Sequence, residues 1–502
     1  MRNLSFYFIL SFLFGLNQTH LLAQASQKVE ILSAKNFEYI KLQDKNVSKL
    51  IGNVKLKQQD TYMDCDSALI YEAENLVEAF SNVRIKYRDS VTITGNYLIY
   101  DGATKKALIS KSVTLEDKNM LLSTEQLDYD LNNQYGYYAN GATITTKENK
   151  LTSKLGYFYA RKNEFFFKEQ VVLTNADYTM TSDTLMYNTK TKTAYFFGST
   201  KIIGEKESIF CENGWYNTAK DQSQFSNNAV LISERKVLMA DSLYYDRKLQ
   251  LGKAYRNIHI YDSIQKIHLF GQYGYSNEKI GVTQVSHKSK AIKLMDEGDS
   301  LFLYADTIFM TQKYKKQKET LRLFHKVKIF KSDLQAVCDS LVYVRDDSTI
   351  WMFRQPIMWS GLNQITSDTI SFFLNAGKLD SFNLMANALI ISKVKGAHFD
   401  QIRGRNMKGQ LDSGRIEFVR VLGNAQSIHY EKEDSINFIG VNEIDCSYMN
   451  FIFEKGQIKK AVFETAPTAT MHPPDAIKPE DFRLKGFKWH EYKRPQRLNF
   501  QY

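Results

Sequence analysis

The chain has 502 residues, of which 43% are hydrophobic and 13% aromatic, and carries a formal net charge of +11. That length excludes a single compact domain of ordinary size, and the apolar content is enough to bury a core. Proline is scarce, with six residues in total and all but Pro356 beyond residue 466, so the body suits long uninterrupted hydrogen-bonded structure, because each proline removes a ladder donor.

At the N-terminus Arg2 precedes the apolar run LSFYFILSFLFGL, and LLAQAS follows with Ala23 and Ala25 in a small-x-small pattern. This reads as a signal peptide over 1–25. The competing reading is a single membrane anchor, but the apolar core falls short of the roughly 20 residues that span a bilayer. No cysteine sits at the cleavage site to accept a lipid. The mature chain is expected to begin near Ser26, outside the cytoplasm. Later stretches are too interrupted by charge for a second span.

From there the chain repeats itself. Tyr71, Tyr100, Tyr129, Phe158, Tyr187, Tyr216 and Tyr245 recur at an interval of 29 residues, with Leu69, Leu98, Leu127, Gly156, Leu185, Gly214 and Leu243 two positions earlier. A second column runs through Val54, Val83, Val113, Ala142, Val171, Thr200, Ala229 and Ile258. Beyond 258 the register loosens, and Ile308, Leu341, Ile370, Met407 and Ile444 continue a column across longer inserts. A fixed period of this kind marks a solenoid-like repeat. Within each unit the apolar period is two, as in NVRIKY and VTITGNYLIY, with polar turns such as DGATKK and NTKTKT between runs. Strands are therefore expected throughout. The reading is one elongated all-β body over 26–465, with 26–260 regular and 261–465 divergent, followed by a distinct segment at 466–502.

Cys65, Cys211, Cys338 and Cys446 form no CxxC pair and no zinc spacing. Cys65 and Cys211 stand five periods apart, so one strand spacing per period already separates them by roughly 24 Å, against the 7 Å or so that a disulfide tolerates between Cα atoms. Small buried thiols are expected. Asp-Ser or Asp-Thr recurs at 66–67, 183–184, 241–242, 306–307, 339–340 and 368–369. Repetition reads as a corner device, short polar side chains bonding local backbone at a strand entry, rather than as a nucleophile with its partner.

With the repeat laid out, LIGNVKLKQQDTYMDCDSALIY (50–71) and AFSNVRIKYRDSVTITGNYLIY (79–100) resemble the OstA/LptA repeat, a Gly-Asn-Val strand, a short turn and a strand ending in a polar-x-Leu-x-Tyr run. The resemblance covers 50–260 and continues by column only to about 465. It implies a β-jellyroll of two facing antiparallel sheets with an apolar interior, ends that add strands to partners, and the carriage of lipopolysaccharide through the periplasm toward the outer membrane. This chain departs from the short members in its length, and after the repeats too few residues follow for a membrane barrel like that of the longer relatives.

On that resemblance the inward columns are candidate groove residues: Val54, Leu56, Leu69, Tyr71, Val83, Ile85, Leu98, Tyr100, Leu127, Tyr129, Phe158, Leu185 and Tyr187. Each reads equally as sandwich core. Gly156 and Gly214 either widen the slot or mark bulges. Lys55, Lys57, Arg84, Lys86 and Arg88 alternate out of the apolar face, as headgroup contacts or as a solvated surface. The basic balance suits phosphorylated lipid headgroups, and export argues against nucleic acid. No cofactor or metal is implied. The last stretch combines Pro467, Pro473, Pro474 and Pro479 with Phe482, Phe487, Trp489 and Tyr492 among Arg and Lys; it reads as a docking segment for a partner or an anionic membrane, or as a cap on the body. An exported structural or adhesive solenoid and a β-helical polysaccharide-active enzyme are the rival functions. The latter needs a local cluster of carboxylates, and no HExxH, GxSxG or Gly-rich phosphate loop occurs in the chain.

Overall fold

The computed structural model describes residues 28–497 except 88–90, 119, 296–297, 313–317, 413–414, 434–436, 456 and 474–477. The leader read at 1–25, together with Arg88, lies outside the described residues. Contacts divide the chain into two compact units that meet between Phe165 and Phe166. Both are built of antiparallel strands, with helical geometry confined among the described residues to three-residue 3-10 turns such as Glu278–Ile280. No helix among them is long and apolar enough to cross a membrane.

Each 29-residue period is a hairpin of two strands, not one. In the first unit Leu76–Tyr87 pairs with Val91–Asp101, which pairs with Lys106–Glu116 and then with Met120–Asp130. Turns that join one hairpin to the next are closed by the residue that follows the column tyrosine, as at Asp101, Asn188 and Asn217. Asp101 Oδ1 accepts from the backbone N–H groups of Ala103 and Thr104, and Asn188 and Asn217 act in the same way in the second unit. These are Asx turns, which a short acceptor side chain favours.

The first strand of most hairpins carries a bend where two consecutive residues enter the left-handed region; at Gly141 and Gly198 only the glycine does. Ser81 and Asn82 have φ of 60° and 49°, Lys111 and Ser112 66° and 55°, Arg256 and Asn257 58° and 49°, and His325 and Lys326 61° and 54°. The register slips at each of them, as between Phe80 and Val83 or between Tyr255 and Ile258. In the facing strand the buried positions change phase there, from Cys65 to Ala68 and from Gly95 to Leu98. Both halves of every strand consequently turn their apolar side chains to one interior. In the second unit, residues on either side of the bend, such as Leu323 with Val327 and Leu384 with Ala388, belong to one packed core. The two facing sheets that the resemblance implies are thus, within each unit, two walls of one hydrogen-bonded sheet folded along its line of bends.

The Asp-Ser and Asp-Thr steps lie at that fold; five stand in mid-strand, and Asp368–Thr369 stands at a strand entry, just before Thr369–Asn375. Their carboxylates bond the bend of the next strand. Asp66 Oδ2 accepts from Asn82 Nδ2 at 2.8 Å, Asp183 Oδ2 from the Ser199 N–H at 3.0 Å, and Asp368 Oδ2 from Asn387 Nδ2 at 3.0 Å. Asp241 takes both Arg256 Nε and Asn257 Nδ2. Inside the crease the side chains facing the bend are small: Cys65 stands opposite Val54, Gly95 opposite Val83, Cys211 opposite Thr200, Ala240 opposite Ala229, and Cys338 opposite Val327. All four cysteines are free thiols, and at this place they serve as small apolar crease residues.

A non-glycine residue in the left-handed region costs about 1–2 kcal/mol unless its side chain suits it, as asparagine does. Asn257→Val is expected to lower stability by about that amount, while Asn257→Gly stays within a few tenths of a kcal/mol of the parent; urea midpoints of the two variants check the difference.

Candidate functional site

Ten of the thirteen expected inward residues are buried. Val54, Leu56, Val83, Ile85, Leu98, Tyr100, Leu127, Tyr129 and Phe158 in the first unit, and Leu185 in the second, are at most 5% exposed. They join into cross-strand ladders, among them Val77–Tyr100–Ala107–Tyr129–Gly136–Phe158. Tyr187 is half-exposed on the inner face. Leu69 and Tyr71, by contrast, are only half-buried, and Ala68 and Ile70 occupy the inner positions in their place. Pairing explains the slip: Gln58 pairs with Thr61 across two intervening residues, whereas Tyr87 pairs with Val91 across three. That one additional residue puts the inner column of the first hairpin 30 positions, not 29, before that of the second.

Lys55, Arg84 and Lys86 are exposed on the outer face, and Lys57 is half-buried with its ammonium 5.3 Å from the Tyr62 ring. Gly156 and Gly214 neither widen a slot nor carry a bulge. Each faces an aromatic residue on the paired strand, Tyr138 and Phe196, whose ring occupies the space a Cβ would need. Gly136 under Phe158 repeats the arrangement. In the first unit these rings help to fill the interior. Buried polar ends are paired as well: Tyr138 Oη lies 2.6 Å from Ser153 Oγ, and the Tyr100 hydroxyl donates to Gln58 Oε1. Burial pushes the Tyr129 and Tyr138 phenols up to about 12.

The second unit differs at the far end of each wall. In the first unit the inner residues four positions from the bend, Leu56, Ile85, Leu115 and Ile144, are buried. Their equivalents Leu173, Ile202, Leu231 and Ile260 are half-exposed, and so are Ile209 and Leu238 on the intervening strands. They form one cross-strand row, Ile202–Ile209–Leu231–Leu238–Ile260, continuing through Leu269 and Ala291 to half-exposed Leu303. On the other wall Tyr187, Tyr216 and Tyr245, all half-exposed, alternate with Ala194, Ser223 and Gly252. The Tyr216 hydroxyl donates to Asp221 Oδ1 at 2.9 Å, and burial first, with that carboxylate beside it, raises its pKa to about 12. The result is a cleft whose crease is buried and whose two lips, one aliphatic and one rich in tyrosine, are partly open to solvent.

Sequence reading overlooked the aliphatic lip. Its signal was present: Leu173, Ile202, Leu231 and Ile260 recur every 29 residues, as do Met180, Ile209, Leu238 and Ile267. Nothing in the spacing distinguishes a closed interior from an open one.

Among the described residues no three His, Cys, Asp or Glu side chains group to hold a metal. His259 and His268 do meet, Nε2 to Nδ1 at 3.0 Å, on the outer face, stacked with Tyr261 and Phe270. The C-terminal segment lies on its own body. Phe482 and Leu484 pack with Ile428, Tyr430 and Val441, and Phe487 and Trp489 with Leu389, Ile391 and Phe399. Gln401 donates from Nε2 to the Phe482 carbonyl and accepts the Leu484 N–H, both at 2.9 Å. Gln364 holds Lys488 O and the His490 N–H in the same way, at 2.7 Å each. Tyr492 alone of the four aromatics singled out there is largely exposed, at 80%.

Comparison with known proteins adds a family. Residues 26–183 and 179–241 match the model of the family described as OstA-like protein, and 242–502 lie outside that match. Among solved structures, the chain is similar to LptH of Pseudomonas aeruginosa, the LptA-homologous periplasmic component of a lipopolysaccharide transport device. That similarity is at 13% identity and a TM-score of 0.20, over 22% of this chain and 82% of that one, and a likeness so small carries no argument. No curated protein matches the chain.

Burial raises the thiols of Cys65 and Cys338 to about 12 and of Cys211 to about 11, and only Cys446 is partly exposed. A thiolate is the reactive form. One thiol per chain, Cys446, is expected to react with a maleimide at pH 8 in the native protein, and four in denaturant; peptide mass mapping identifies which. Because the buried thiols and phenols have folded pKa values above their unfolded ones, their contribution is fully present below the unfolded values near 9 and 10 and is lost as pH rises toward 12. The thermal midpoint should accordingly fall steadily above pH 9.

Proposed function

Residues 26–241 belong to the OstA-like protein family, and from that premise we propose that the protein is a non-catalytic carrier of lipopolysaccharide, working in the periplasm and passing its cargo toward the outer membrane. The observation that carries this reading is the partly open cleft of the second unit. Acyl chains laid along the row from Ile202 to Leu303 leave water for an aliphatic wall, at about 0.8 kcal/mol per methylene. Neighbouring positions differ little from one another, so no rung holds the chain much harder than the next. Sliding from rung to rung is then nearly level in energy. The tyrosine lip, with hydroxyls at its edge, suits the boundary between acyl chains and a polar headgroup. In the first unit the corresponding columns are packed against one another, and lipid would enter there only if the walls parted.

Two further parts of the reading rest on the same premise. The first unit opens on an edge made of Glu30–Ser33 and Asn36–Leu42, where Ile31, Leu32, Phe37 and Tyr39 are exposed; the second closes on Gln457–Glu464 and Thr468–His472. An exposed sheet edge pairs with another strand readily, so transport partners are proposed to join at both by strand addition. Lys55, Lys57, Arg84 and Lys86 are proposed as contacts for phosphorylated headgroups. The leader read from the sequence supports export.

A photoreactive residue at Ile209, Leu238 or Leu98, with exposed Ser123 as the outward control, tests the carrier reading in the exported protein. Adducts with lipopolysaccharide are expected at Ile209 and Leu238 and not at Ser123. No adduct at any cleft position, in folded protein, would leave a purely structural sheet. Leu238→Asp is expected to reduce the retained lipopolysaccharide about tenfold or more, since it replaces a buried contact worth about 1.5–3 kcal/mol by a charge.

A further inference from the structure

The C-terminal segment follows one row of cross-strand neighbours on the outer face of the second unit. Gln401, Ile391, Gln364, Trp359 and Gln335 stand in that row in sequence of strand pairing. The three glutamines are at most 4% exposed. Two of them clamp the segment's backbone, and the third accepts from Arg494 Nε at 2.8 Å. The row then passes through Phe330 to Phe302, where the guanidinium of Arg497 sits 5.7 Å above the ring.

Beyond Phe302 the row does not turn polar. It continues across consecutive strands as Ile292, His268, Tyr261, Val237 and Ile232, and past Ser208 to Ile203. Ile232 and Ile203 are 39% and 44% exposed. The corresponding outer row of the first unit is mostly polar, with Lys57, Lys86, Thr92, Glu116 and Thr145 interrupted by Tyr62 and Leu121. From Phe302 to Ile203 is seven strand steps, about 34 Å at ~4.8 Å each, the length of about ten extended residues. The adjoining row on the same face, through Phe210, Val230, Met239, His259, Phe270 and Tyr304, is largely apolar as well. Lys201, Lys290 and Lys328 in it hold their ammonium groups over the rings of Phe210, Phe270 and Tyr304. A ribbon about two side chains wide, set with cations held over rings, fits a chain laid across the strands.

We propose that this stripe, from Ile292 to Ile203, is a docking track for an extended polypeptide segment of a partner protein. That segment carries aliphatic or aromatic residues at alternate positions with arginine or lysine between them, and it prolongs the path that residues 482–497 take over the neighbouring strands. Continuity carries the assignment: the same row, on the same face, already holds such a chain up to Phe302. Alternate apolar side chains meet the row, and guanidinium groups lie over its rings, as Arg497 does at Phe302.

The probe is a fluorescent synthetic peptide copying residues 482–497, titrated into the full chain and followed by anisotropy. Saturable binding is expected. It should weaken at least tenfold in the pair Tyr261→Asp with Ile232→Asp and persist in Gln401→Leu, which alters the seat of the protein's own segment. Tyr261→Ser with Ile232→Thr serves if the aspartates lower the thermal midpoint by more than a few degrees, and at least a threefold loss is expected there. Three results overturn the proposal. One is the absence of saturable binding. Another is binding lost in Gln401→Leu but kept in the stripe variants, which means the peptide exchanges with the segment already seated. The third is flotation with phosphatidylglycerol vesicles, abolished by the stripe variants, in place of peptide binding, which means the stripe meets a membrane.

Discussion

Everything in this molecule depends on a bend, once per hairpin, where one residue or more often two adjacent ones stand in the left-handed region in the middle of a strand. Without that bend each hairpin would be a flat ladder with one buried face and nothing to bury it against. With it, both halves of the strand turn toward one interior, and the sheet supplies both walls of its own core. The cost, of order 1–2 kcal/mol for each non-glycine residue, recurs at every bend and is offset locally. Asparagine stands at many of the sites, and aspartate on the facing strand bonds the bend at several. The side chains inside the crease stay small because the walls are closest there. This gives the widely spaced cysteines a shared physical reason: Cys65, Cys211 and Cys338 occupy crease positions otherwise held by Gly95 and Ala240.

How far the sequence could be read follows from the same bend. Period and alternation showed the strands, because apolar residues on a pleated surface must recur every second position and equivalent rungs must recur every 29. The bend itself was hidden. Its residues range from Ser81 and Asn82 to His325 and Lys326, and no single residue type signals it. For that reason the Asp-Ser and Asp-Thr steps read as strand entries when most of them lie in mid-strand. The column through Leu69 and Tyr71 went astray by one position for a different reason, a single additional residue in the connection between Tyr87 and Val91. Periodicity fixes a face only as far as the loops keep their length.

The cleft shows the other limit. Ile85 in the closed interior and Ile202 in the open one are the same type of residue at equivalent places in the repeat. Whether such a side chain meets the opposite wall or solvent is decided by how far the walls splay, which is a property of many strands together and of no residue alone. The C-terminal segment is a similar case. Its aromatic and basic composition announced a docking element, but the seat exists only once Gln364 and Gln401, 37 positions apart in the chain, are brought into one row by Ile391 between them.

That seat changes how the second unit responds to force. A sheet made of hairpins is held by contacts between nearest neighbours, and such arrays can be peeled one member at a time. The C-terminal segment runs across the strands instead of along them, fastened at Gln401, at Gln364 and at Gln335. A pull that would strip the outermost hairpin must also break fastenings several strands further in. The segment acts as a lashing: it couples the loss of one strand to the loss of the next, and a stepwise fraying becomes a single cooperative event.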